Sequence, residues 1–183
     1  SRRGFASELF GCELSESGVK VTLGRNIPGL KECKVADGSD LPYPDGSFDF
    51  AILAHVVEHV EDPRAVLKEA ARVARHVYVE VPLELRWRMR RNYADGIPGH
   101  VNFYSARSIR LLVQTSDLRV VRQEVTHPSW DTYRYQYGIR GKIGYVVKTA
   151  LLKICRPLAT AVFTYNSFIL AASEVECTTA SGG

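Results

Sequence analysis

The stretch SFDFAILAHVVEHVEDPRAVLKEAARVARHVYVEVP, residues 47–82, constrains the fold more than any other part of the chain. FDFAILA at 48–54 is short, apolar on both faces and preceded by the turn residues PDGS, so it reads as a buried strand. Asp62 and Pro63 suit an N-cap and a first helical position. Behind them Val66, Leu67, Ala70, Ala71, Val73 and Ala74 keep a 3.6-residue period, which predicts a helix. HVYVEVP at 76–82 is rich in valine and is expected to be a second strand that stops at Pro82. Strand, helix and strand in this order are the unit from which parallel sheets are wound.

The alternation continues on both sides. LFGCE is an apolar strand ending at Glu13, followed by a serine placed to cap a helix, and a further strand leads to Asp37. Ser105 is expected to cap a helix whose apolar face is Ile109, Leu112 and Val113. LRVVRQEV at 118–125 and FILAASEV at 168–175 read as strands, with a helix around 143–154. The aromatic segment SWDTYRYQYGIRGK between them fits either a lid over a site or a loop against the sheet edge. The expected fold class is α/β, a doubly wound, mostly parallel sheet in one domain over residues 1–176, with residues 177–183 as a disordered tail.

Composition narrows the setting. The chain has 183 residues, 45% hydrophobic and 24% charged, with a net charge of +4, as for a globular protein with one core. Only RWRMRR at 86–91 concentrates positive charge. It reads as a solvated helix or loop face, so no nucleic-acid partner is expected, while contact with a membrane surface stays open. Cys12, Cys33, Cys155 and Cys177 are scattered and form no C-x-x-C pair, which suits reduced thiols of a cytoplasmic protein. The apolar region at 149–172 carries Lys153, Arg156, Pro157 and Asn166, which argues against a spanning helix.

Two strand ends carry chemistry. A carboxylate such as Glu13, at the carboxyl end of a strand in this kind of sheet, is placed to accept both hydroxyls of a ribose. A capping or surface glutamate would read the same way by itself. At the end of the next strand, Asp37 can accept from an exocyclic adenine amine, and Gly38 lets backbone approach the ring. Together the two ends describe an adenosine pocket.

With these residues in place, the chain resembles the class I S-adenosylmethionine-dependent methyltransferases of the small-molecule type, with a doubly wound, Rossmann-like sheet. The resemblance is carried by GCELSES, by VADGSDLPYPDGSFDFAILAHVVEHVEDPRAVLKEAARV and by GHVNFYSARSIRLLVQTSDLRVV, in the family's order over residues 11–121. It implies S-adenosylmethionine as cofactor, S-adenosylhomocysteine as product, and a cofactor-binding set of Glu13, Leu14, Asp37, Gly38, Ser39, Ala54 and His55. Glu13 would hold the ribose and Asp37 the adenine amino group, Gly38 and Ser39 would line the base, and Ala54 and His55 would face the methionine part and the substrate. Two features depart from the pattern. The family's glycine-rich loop has no counterpart here, SRRGFASELF resembling only the end of such a loop and a short helix. The expectation is an amino-terminally truncated domain whose sheet lacks its central first strand. The family's Pro-Gly-Gly turn after the helix is replaced by VARHVY, a connection expected to carry some strain.

HVVEH at 55–59 also spells H-x-x-E-H, a zinc-peptidase pattern that needs both histidines on one face of a continuous helix. Here His55 directly follows a strand. The segment is therefore read as a strand-to-helix junction with His55 over the cofactor cleft and His59 tying down the loop, and no metal is expected. Methyl transfer from a sulfonium needs chiefly proximity and alignment, with a base only where the acceptor must lose a proton. His55 and His100 are the candidate catalytic residues, with Tyr104 near the second. Three readings stand: methyl transfer to a small, amphiphilic acceptor of lipid, quinone or sugar origin, an inactive methyltransferase-like interaction module, and a zinc hydrolase built on HVVEH.

Overall fold

The central pattern folds as its period dictates. In the computed structural model, which describes residues 6–85, 99–127, 130–138 and 140–175, strand β3 (Phe48–Ala54) leads through a turn into helix α2 (Pro63–Val73) and strand β4 (Ala74–Leu83). Asp62 Oδ1 accepts from the backbone N–H groups of Arg64 and Ala65, both at 3.0 Å. Two donors that the first turn cannot satisfy by itself are thereby paired. Val66, Leu67, Ala70, Ala71 and Val73 form the buried face of α2. The helix passes straight into β4, since Ala74 is already extended at φ −135° and ψ 143°. No left-handed residue is needed there, so the strain expected at VARHVY is absent.

Ahead of this unit lie β1 (Leu9–Glu13), α1 (Glu16–Gly24) and β2 (Leu30–Val35), and after it come α3 (Ala106–Gln114), β5 (Leu118–Thr126), α4 (Trp130–Tyr137), α5 (Arg140–Ile154), α6 (Arg156–Val162) and β6 (Tyr165–Ser173). α3 starts in a reciprocal capping box, Ser105 and Ser108 each bonding the other's backbone N–H. The aromatic segment after β5 is helical, forming α4 against α5, so it is not an edge loop. α6 has no counterpart in the sequence reading, although Pro157 near its start is a helix-opening position. RWRMRR and residues 177–183 lie outside the described residues.

The expected α/β class with a mostly parallel sheet stands, with one reversed strand among those described. β1 pairs with β2 and β3 with β4 in parallel, but β6 runs antiparallel to both β4 and β5. The strands also form two sheets, β1-β2 and β3-β4-β6-β5. The division falls between β1 and β3, where the resemblance placed a further central strand. Across it, Phe10 and Tyr43 pack on Phe48 with ring centroids 5.4 and 4.9 Å away. β3 is accordingly half open rather than buried. Ala51 and Leu53 pack on the core, while Phe50 and Ile52 are 43% and 52% exposed.

The other strand limits shift for local reasons. β4 continues through Pro82 to Leu83, because beyond Glu80 it has a partner only on the β6 side, an edge-like position that tolerates proline. β6 starts at Tyr165, whose buried ring sits in the core and whose hydroxyl donates to the Lys148 carbonyl at 3.0 Å. Leu67 and Ala71 of α2, Val77, Val79 and Val81 of β4, Ile109 and Val113 of α3, and Ile169 of β6 make one continuous core. Among the described residues no helix is long and apolar enough to cross a membrane, and Cys12, Cys33 and Cys155 are free thiols.

Candidate functional site

Glu13 ends β1 and is paired in register with Val35 at the end of β2, two residues before Asp37. The Ala36 N–H donates to the Glu13 carbonyl at 3.0 Å, so the two carboxylates stand at neighbouring strand ends. Thr22 Oγ1 donates to Glu13 Oε1 at 3.3 Å, which turns the side chain over the first turns of α1. The glycine at 18 matters here, because a Cβ on it would come within 3.2 Å of Glu13 Oε2. Gly18→Ala should therefore raise helix stability by about 0.5–1 kcal/mol while displacing the carboxylate. Thermal unfolding and cofactor titration of the same variant are expected to move in opposite directions.

Asp37 Oδ1 accepts from both the backbone N–H and the hydroxyl of Ser39, each at 2.9 Å. Those donors, the backbone bond first, hold its carboxyl below the usual range, so near neutral pH it is an ionised acceptor. Gly38 faces the γ-methyls of Val66, the closer lying 3.4 Å from where a Cβ would be. Leu14 is 73% exposed, and Glu13, Asp37 and Ala54 are solvent-accessible. Their donor and acceptor types fit the ribose and adenine of S-adenosylmethionine. The concavities lined by Ala71 with Ser173, and by Gln123 with Arg156, lie on other residues.

His55, at the end of β3, adopts φ 56°, a conformation uncommon outside glycine and typical of functional turns. Its backbone N–H donates to the Glu80 carbonyl at 3.0 Å. Around the ring, Nδ1 lies 2.9 Å from Glu58 Oε1 and Nε2 lies 3.4 Å from Glu80 Oε1. Glu80 is held in turn by Asn166 Nδ2 at 2.8 Å. Both ring nitrogens thus face carboxylates, an arrangement that positions the turn and leaves neither nitrogen open to an acceptor. His55 and the exposed Ala54 share the strand end, as the resemblance implied, but proton abstraction is not what the His55 ring is set up to do.

His100 is arranged differently. Its Nδ1 is 2.7 Å from Oε2 of Glu84, and the two side chains are only 9% and 2% exposed. Nδ1 donates to this carboxylate, which leaves Nε2 as the ring nitrogen without a partner among the described residues. His59 Nδ1 donates to the Gly99 carbonyl at 2.9 Å, and its ring meets that of His100 edge to face at 4.6 Å. Tyr104 is buried, with its hydroxyl donating to the Val57 carbonyl at 3.2 Å. Burial and then the Glu58 charge push that hydroxyl up to about 12, so Tyr104 serves as a hydrogen-bond donor to the turn.

Residues 55–59 form a bend and a turn, so the helix that an H-x-x-E-H peptidase requires is not there. Sequence reasoning missed a pair on α2. Glu69 and Arg72 form a bidentate contact, with Arg72 Nε 2.8 Å from Oε2 and Nη2 2.6 Å from Oε1. Arg72 also donates to the carbonyls of Leu41 and Tyr43 and to Asp45, and Glu69 accepts from the Leu41 N–H at 2.7 Å. The LPYPDG loop behind Asp37 is thus fastened to α2. Its signal was Glu-x-x-Arg, an i, i+3 pair on one helix face.

The architecture is a Rossmann-like α/β fold with carboxylates at the carboxyl ends of β1 and β2. Residues 1–76 match the family model described as a methyltransferase domain. The ajmaline N-methyltransferase of Rauvolfia serpentina is 37% identical over 68 residues, 35% of this chain and 23% of that protein. The ubiquinone/menaquinone biosynthesis C-methyltransferase UbiE of Rickettsia akari is 38% identical over 61 residues, 33% of this chain and 25% of that protein. The chain thus spans about a quarter of the length of these relatives. The [4+2]-cyclase SpnF has a TM-score of 0.63 at 18% identity, over 93% of this chain and 68% of that one. A SAM-dependent methyltransferase of Methanosarcina mazei gives 0.58 at 16%, over 91% and 82%. The chain thus shares the Rossmann-like fold of these solved structures, and its residues 1–76 resemble a methyltransferase domain.

Proposed function

We propose that the protein transfers a methyl group from S-adenosylmethionine to a small-molecule acceptor. The observation that carries this reading is the pair Glu13 and Asp37 at adjacent parallel strand ends, inside the stretch that the family model matches. Glu13, with Leu14 beside it, holds the ribose, and Asp37 accepts from the adenine amine while Gly38 and Ser39 line the base. Ala54 and His55 face the methionine end. When bound, the cofactor supplies an electrophilic methyl group, and the chain's own residues contribute alignment. The acceptor we favour is amphiphilic, of lipid, quinone or sugar origin. Two relatives named for quinone methylation support it. A cytoplasmic location without a nucleic-acid partner belongs to the same reading.

Calorimetric titration with S-adenosylhomocysteine tests the proposal. A hydrogen bond to a charged group is worth about 1.5–3 kcal/mol, so Glu13→Ala and Asp37→Ala should each weaken binding by roughly 10- to 100-fold. Unchanged affinity in both variants would remove these residues from the site. The exposed apolar strand β3 also favours a second reading, a methyltransferase-like module kept for interaction, and a protein that binds no S-adenosylhomocysteine would leave that one standing. The zinc hydrolase is not retained, because His55 and His59 do not share a helix face.

A further inference from the structure

We propose that Glu58, His59 and His100 bind a first-row divalent transition cation of the Zn²⁺ kind. One donor atom from each of these residues lies within 4.8 Å of the other two. Three donors around one tetrahedral ion, with bonds near 2.1 Å, stand about 3.4 Å apart. Donors at most 4.8 Å apart need to draw in by up to about 1.4 Å to reach that spacing, and the His59 ring is the exposed one of the three.

Three independent features aim the cluster at a cation. Oε2 of Glu58 is fully buried and has no hydrogen-bond partner, although Oε1 of the same carboxylate is taken by His55. An unpaired buried carboxylate oxygen is a state that folded proteins avoid unless something binds it. His100 is held at Nδ1 by the buried Glu84 carboxylate and His59 at Nδ1 by the Gly99 carbonyl. These are the two outer contacts that ligating histidines make, and each leaves Nε2 bare. The backbone also brings the two segments together without a metal. Val101 and Asn102 N–H donate to the Glu58 carbonyl, and Asn102 Nδ2 donates to the carbonyls of Val57 and Val60.

The donor set selects the ion. Two imidazoles and one carboxylate suit Zn²⁺, Co²⁺, Fe²⁺ or Ni²⁺, whereas Mg²⁺ and Ca²⁺ prefer an all-oxygen shell. Three protein ligands leave a fourth position for water or another oxygen ligand. This set differs from the H-x-x-E-H pattern in the sequence: His55 is excluded by its own pair of carboxylates, Glu58 becomes a ligand, and His100 enters from forty-one residues further on. The site stands whether or not the protein transfers methyl groups.

The test uses tag-free full chain stripped with a chelator and titrated with Zn²⁺ against a chromophoric competitor, with Co²⁺ as a spectroscopic substitute. One equivalent per chain is expected, with a tetrahedral Co²⁺ absorption band and a higher unfolding temperature on loading. His59→Ala and His100→Ala should each weaken Zn²⁺ at least tenfold, and Glu58→Gln should do the same without removing side-chain volume. His76→Ala, a surface control, should change nothing. Far-UV circular dichroism identifies any variant that fails to fold, and His59, being exposed, is the substitution least prone to that. Absence of stoichiometric Zn²⁺ or Co²⁺ uptake, or uptake indifferent to His59→Ala in a folded variant, would overturn the site. Binding of Mg²⁺ in preference to Zn²⁺ would overturn the assignment of the ion.

Discussion

Arg72→Ala is expected to destabilise the protein by about 2–4 kcal/mol and to weaken S-adenosylhomocysteine binding. The guanidinium spends its donors on Glu69, Asp45 and the carbonyls of Leu41 and Tyr43, so alanine leaves a largely buried Glu69 carboxylate without its cation. Exposed ion pairs are worth little, and the Asp45 contact, on a side chain 66% exposed, adds accordingly little. The loss comes from Glu69, 13% exposed, and from the two carbonyls. Because the same contacts fasten the loop that follows Asp37, the adenine side of the pocket loosens as well. Arg72→Lys should fall short of rescue, since an ammonium cannot reproduce the planar bidentate contact. Urea unfolding and calorimetry on both variants check the two effects.

The same pair sets an acid limit. The bond from Arg72 first, against a smaller burial effect, and then the Leu41 N–H hold the Glu69 carboxyl below its ordinary value of 4.5. A carboxylate depressed in the folded state adds stability that is fully present above its unfolded value. That contribution is lost as the pH falls through the lowered folded value. Wild-type stability should therefore decline from about pH 4.5 downward. In Arg72→Ala the decline should be shallower, because the contact that lowers the carboxyl has gone.

How much of this was legible in the sequence depended on how local the cause was. Asp62-Pro63 and the 3.6-residue spacing of Val66, Leu67 and Ala70 fix α2 within the chain itself, and FDFAILA specifies β3 by its own pattern. Glu13 and Asp37 could be placed because strand ends follow from strands. What escaped were causes acting across the fold. The exposure of Phe50 and Ile52 follows from the division of the sheet between β1 and β3, which no spacing inside FDFAILA records. The contacts of Arg72 reach back 27 to 31 residues, and Glu84 meets His100 across 16. α4 was hidden because tyrosines and charges in WDTYRYQYG give neither a helical nor a strand period.

Leu67→Ala is expected to lower stability by about 2–5 kcal/mol, a loss as large as that of Arg72→Ala, while leaving cofactor affinity in the folded fraction unchanged. Leu67 is 0% exposed and belongs to the core beneath β4. Its removal gives up buried apolar area and leaves a cavity that close-packed neighbours fill only in part. It touches neither the Asp37 loop nor the turn at His55 through any polar contact, and the groups that secure them, Asp62, Glu69 and Arg72, lie on the other faces of α2. Affinity measured well below the unfolding transition therefore separates the two variants. If Leu67→Ala lowered affinity as much as Arg72→Ala, the loop would be sensing the position of the whole helix, and the fastening role assigned to Arg72 would fail.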